Sequence, residues 1–130
     1  MRNAFFGYTS CIVMLVVFAG CSKPTLAGRD LYSAHCANCH GRYADGEGPV
    51  AADLPAIVPD LRYLAKRNGG AFPREWVTDV IDGREIVQSH GDRHMPVWGD
   101  AFTEMDAANG SSKAKIQSLV DYLVEIQQSN

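Results

Sequence analysis

The chain has little of what most catalytic and regulatory machinery is built from. Cysteine is limited to four residues and histidine to four, and no second pair of either stands at a spacing that would complete a four-ligand zinc site with Cys36 and Cys39. No serine–histidine–aspartate arrangement or phosphate-binding glycine loop is present, and the acidic residues are too scattered to nominate a catalytic pair, so no catalytic residue is assigned. Strand signals are weak throughout, which also removes the strand–helix–strand setting of a thioredoxin-like pair. There is no internal repeat and no low-complexity run. There is no basic stripe either: 12 basic against 15 acidic side chains leave a formal charge of −3, which excludes nucleic acid as a partner.

What is present is concentrated in Cys36-Ala37-Asn38-Cys39-His40. Two thiols three residues apart lie on one face of a helical turn, and a histidine follows at once. This is the attachment pattern for a c-type haem. Each thiol adds across one vinyl group of the porphyrin, and the adjacent imidazole reaches the iron from the same side. The chemistry then belongs to the cofactor, with the polypeptide tuning it.

The front of the chain reads as a targeting segment. Arg2 is its only charge, and Cys11 to Gly20 is apolar but shorter than the about 20 residues of a spanning helix. Ala19-Gly20-Cys21 resembles the end of a bacterial lipoprotein signal, with Phe18 where Leu, Val or Ile is usual. That resemblance implies lipidation at Cys21 as first mature residue, with 1–20 removed, 21–26 a short tether and 27–130 the folded domain. Cleavage after Ala27, giving a soluble periplasmic protein, and retention as an uncleaved anchor are the alternatives. All three place the folded part outside the cytoplasm, and the first puts it at a periplasm-facing membrane surface. The cysteines are then all spent: Cys11 with the signal, Cys21 on lipid, Cys36 and Cys39 on haem. Removing 1–20 leaves 110 residues carrying 11 basic and 15 acidic side chains, formally −4. A domain this small gains apolar core from a bound porphyrin.

Periodicity predicts an all-helical chain of four to five helices. Ala27 to Asn38 runs into the haem motif, Asp60 caps a short helix to Arg67, and Pro73 opens a helix that Gly83 closes. Ser111 or Ser112 caps a last helix over 113–127, with Ile116, Leu119, Val120, Leu123 and Ile126 on one side. Gly41 to Pro59 and Arg84 to Asp100 read as loops, and loops that long in a small domain have a task. Trp76 is expected in the helical core. Arg84, Arg62, Arg67 and Arg93 are the candidates for a haem propionate.

Over about 27–127 the chain resembles class I cytochromes c. The haem motif carries this, together with Gly28 and Tyr32 ahead of it, Tyr122 on the last helix, and Met95-Pro96-Val97-Trp98-Gly99. The resemblance implies that Gly28 and Tyr32 pack on Tyr122 where the terminal helices cross. It implies Met95 as sixth iron ligand opposite His40, with His90 or His94 as rivals that would give bis-His ligation. It further implies that the Pro49 carbonyl orients His40 and that Trp98 packs beside the haem. His35 is expected near the surface or the haem edge. The implied function is single-electron transfer between a redox donor and acceptor, drawn from dehydrogenases, quinol-oxidising complexes and terminal oxidases, with a lipid anchor to the membrane. A carrier of this kind is not itself an enzyme. A haem-based sensor or small peroxidase with a labile sixth ligand, and a fixed subunit of a dehydrogenase or oxidase complex, are the competing readings.

Overall fold

The computed structural model describes residues 25–85, 95–105 and 111–129. The targeting segment, Cys21, His90, His94 and Arg93 lie outside the described residues. Six α-helices follow in order: α1 (Thr25–His35), α2 (Ala37–His40), α3 (Leu64–Arg67), α4 (Arg74–Asp82), α5 (Trp98–Met105) and α6 (Ser112–Glu125). Two 3-10 turns, Ala51–Asp53 and Leu61–Tyr63, lie between α2 and α3. Among the described residues there is no strand, and no helix is long and apolar enough to cross a membrane.

The organising element is α6. Ile116, Leu119, Val120 and Leu123 recur at helical spacing, and all four are buried. Against this stripe lie Tyr32 of α1, Val77 and Ile81 of α4, and Phe102 of α5, so one core serves four helices. Ile126 packs at its edge. The closest crossing is between α1 and α6, and Gly28 makes it possible. A Cβ there would stand 2.8 Å from the Tyr122 Cβ and would overlap the Ser118 carbonyl. Without that carbon the two backbones approach to near contact. One turn on, the Tyr32 and Tyr122 rings meet with centroids 5.3 Å apart at 48°.

Helix boundaries follow local chemistry. Asp60 caps the first 3-10 turn of its segment, accepting from the Arg62 N–H at 2.9 Å. Pro73 precedes α4, and Gly83 ends it in the left-handed conformation at φ 83°. The helix read over 27–38 breaks at Cys36 into α1 and α2, so the haem motif starts on a turn.

Two expectations change. Residues 98–105, the first three of them read as loop, form α5, with Trp98, Ala101, Phe102 and Met105 at helical spacing. Gly99 at its second position lowers helix propensity, and burial of Phe102 overrides it. Trp76 is 43% exposed rather than a core residue. Its neighbour Val77 takes the inward direction on α4, and Trp76 lies instead along a cavity wall.

The end of α6 is tied to the segment before α3. Gln127 Nε2 donates to the Leu61 carbonyl at 2.8 Å while its Oε1 accepts from the Ala65 N–H at 2.9 Å. Gln128 accepts from the Tyr63 hydroxyl at 2.7 Å and donates its own N–H to the Arg62 carbonyl at 2.9 Å.

Candidate functional site

The haem motif is wound around one carbonyl. Cys36 C=O accepts from the N–H groups of Cys39, at 3.2 Å, and His40, at 2.9 Å. Cys36 itself donates to Tyr32 C=O at 2.8 Å, which continues α1 into the motif. Neither Cys36 nor Cys39 is in a disulfide. Burial pushes the Cys36 thiol up to about 12, with the Cys39 sulfur nearby adding to the effect. A thiol so desolvated disfavours the thiolate that metal binding or redox exchange requires. A thioether carries no proton and no charge, so the same surroundings suit it.

The loop after the motif closes over it. Gly46 N–H donates to His40 C=O at 2.9 Å, and Val50 N–H donates to Asn38 C=O at 3.1 Å. Gly48 lies so close to Asn38 and Cys39 that a Cβ there would overlap their backbone. From the other side the buried Tyr32 hydroxyl donates to Gly41 C=O at 2.8 Å. Burial raises the pKa of Tyr32 far above its ordinary value, so this donor keeps its proton. The backbone of His40 is thereby fixed from two directions, and its Nδ1 is enclosed.

Two cavities lined mainly by apolar side chains open on the motif. The first runs from Cys36, Cys39 and His35 to Leu54, Val58, Pro96 and Trp98. The second runs from Leu61 and Leu64 to Trp76, Val80 and Leu123. Among the described residues, two side chains line both: His40 and Met95. Trp98 lines the first cavity and its ring meets that of His35 at a tilt of 55°, with centroids 5.1 Å apart. Phe102 completes the cluster, 5.4 Å from His35 and 5.3 Å from Trp98. His35 thus lines the first cavity and is half-buried.

The arginines divide. Arg84 pairs with Asp79 at 2.7 Å and Asp82 at 2.6 Å. Arg62 grips Asp60 at 2.6 and 3.0 Å, and that hydrogen bonding holds the Asp60 carboxyl below the usual carboxylate range. Arg67 donates to Asp60 C=O at 2.6 Å and lines the second cavity. Leu54, Ala56, Ile57 and Val58 form a wall of the first cavity inside the stretch expected to be a loop over 41–59. This apolar run inside a loop was its signal, and Ile57 remains 92% exposed at the cavity mouth.

A helical domain that delivers two free thiols and a histidine to an apolar crevice, lined also by a methionine, has the make-up of a c-type cytochrome domain. The family model described as "Cytochrome C oxidase, cbb3-type, subunit III" matches residues 23–123, and the chain belongs to that family. No curated protein and no solved structure matches it. Membership makes one covalently bound haem c the cofactor and haem-based electron transfer the chemistry. The site fits that cofactor: soft sulfur and imidazole donors stand in surroundings apolar enough for a porphyrin.

Proposed function

We propose that this protein is a single-electron carrier of a respiratory chain in which Cys36 and Cys39 bond the haem and His40 and Met95 are the axial ligands. One observation carries the ligand assignment. Among the described residues, His40 and Met95 are the two that line both cavities, as residues meeting a flat cofactor from its two faces would. When bound, the haem supplies an iron that alternates between ferrous and ferric states. The rest is positioning. The motif turn and the Gly46 N–H hold the backbone of His40, and the resemblance to class I cytochromes c gives the Pro49 carbonyl the role of orienting its imidazole. Trp98, which lines the first cavity, would pack against the cofactor. The thioether of Met95 raises the reduction potential relative to a second imidazole from His90 or His94. The apolar walls would limit the access of water to the cofactor.

The chain is anchored by lipid on Cys21 at the periplasmic face of a membrane. The folded part begins a few residues later: α1 starts at Thr25 and the family match at residue 23. Confinement to one surface raises the effective concentration of donor and acceptor. The family's description favours a fixed place in a terminal oxidase over a freely diffusing shuttle.

The test is spectroscopic, on membranes from cells that express the full chain with haem-attachment machinery. The ferric protein is expected to show the weak red sulfur-to-iron band, absent in Met95→Ala, and the ferrous protein is expected to ignore carbon monoxide. Rapid carbon monoxide binding without the band would instead identify an open site, as in a sensor or peroxidase. Purification from the same membranes at constant ratio with an oxidase separates fixed subunit from shuttle.

A further inference from the structure

Met95 is separated from the end of α4 by twelve residues, yet its place is registered against α4 directly. The Val97 side chain packs where Gly83 lacks one, its Cγ1 standing 2.5 Å from the position a Cβ would take. Gly99 lies against Asp82 so closely that a Cβ would be 2.9 Å from the Asp82 carbonyl and would overlap its Oδ1. Val97 and Gly99 follow Met95 by two and four residues. The segment presenting the thioether is therefore seated on Asp82 and Gly83.

Asp82 is an awkward seat on its own. It lies in the last turn of α4, where a negative charge opposes the helix dipole, and three residues after Asp79, a like charge on the same face. Arg84 resolves both problems. Beyond Gly83 the chain turns back, the N–H groups of Arg84 and Glu85 both donating to Asp79 C=O at 2.9 and 3.1 Å. The guanidinium then reaches Asp79 Oδ1 and, through Nε, Asp82 Oδ2. One oxygen of Asp82 is thus held by Arg84 while the other faces Gly99.

We infer that the Asp79–Arg84–Asp82 clasp is the positioning device that keeps Met95 on the iron. Arg84 touches neither metal nor thioether; it acts through Asp82 and the first turn of α5. The inference rests on Met95 being the sixth ligand, and the experiment separates the two. In haem-loaded full chain, Arg84→Ala is expected to weaken the red ferric band and raise carbon monoxide affinity of the ferrous protein about fivefold, in keeping with two partly exposed ion pairs. Arg84→Lys, able to pair with one carboxylate, restores part of both signals. Arg74→Ala serves as comparison, because it removes an ion pair to Asp121 on α6 and so costs stability on the other side of α4. It is expected to lower the unfolding midpoint and leave the band and carbon monoxide affinity at wild-type values. The inference is overturned if Arg84→Ala keeps the wild-type band and affinity, or if Arg74→Ala perturbs them equally. A wild-type band that vanishes in Met95→Ala but survives Arg84→Ala removes the clasp and leaves the ligand. A wild type without the band removes both.

Discussion

Replacing Gly28 with alanine is the sharpest challenge to the architecture described above. In an isolated helix the change is favourable, because alanine exceeds glycine in helix propensity by about 1 kcal/mol. Here the added carbon meets the Ser118 carbonyl and the Tyr122 Cβ. The first belongs to the backbone of α6 and cannot rotate away, so α1 and α6 must separate. Forcing a methyl into a packed interface costs about 1–3 kcal/mol, and a rigid backbone partner puts this case at the upper end. The net expectation is a loss of about 2 kcal/mol, or about 8–16 °C in melting temperature for a domain of this size. Denaturant unfolding of the ferric protein, followed by tyrosine fluorescence and by haem absorbance, measures it. The helices that separate are those carrying Tyr32 and Tyr122, so the ring contact loosens with them. A midpoint at or above wild type would refute the argument, since it would mean that propensity outweighs the crossing.

Three further outcomes follow from the same geometry. Tyr32→Phe leaves Gly41 C=O without its buried donor and is expected to cost about 1–3 kcal/mol. Tyr32 ionises at a higher pH folded than unfolded, so the wild type loses stability as pH rises above about 10; the variant should lose less over that range in parallel alkaline titrations. Asp60 is shifted the other way: its contribution is present above the ordinary value of 3.8 and lost as pH falls through the lower folded value, so Asp60→Asn should flatten the acid limb of the stability curve. Trp98→Ala, which strips one wall of the first cavity and leaves His35 and Phe102 without its ring contacts, is expected to lower stability by about 2 kcal/mol, with Trp98→Phe recovering most of the loss in the same melts.

What could be read from the sequence was what covalent or steric necessity writes into residue identity. Two thiols at fixed spacing before a histidine admit few chemistries, and Gly28 ahead of them marks a crossing where no side chain fits. Pro73 and Gly83 bound a helix because of their own backbone constraints. Other features depend on partners that no local pattern names. Helix α5 opens on Trp98-Gly99, a poor helix start in isolation, and exists because Phe102 finds the core. Trp76 reads as core by composition but lines a cavity wall instead. Arg84 had several possible anions in sequence and found two carboxylates of its own helix end. Ala44 adopts φ 59° while fully buried, a conformation alanine rarely takes, and nothing in its neighbours announces it.

The glutamine tie at the end of α6 has a consequence in time. The haem motif occupies residues 36–40, whereas the segment that forms the far wall of the second cavity is fastened by Gln127 and Gln128. A chain emerging from its N-terminus therefore exposes both thiols long before that fastening can be made. A chain cut before Gln127 would keep the whole haem motif and lose the ties to Leu61 and Ala65, so the wall of the second cavity depends on the last residues of the domain while the thiols do not.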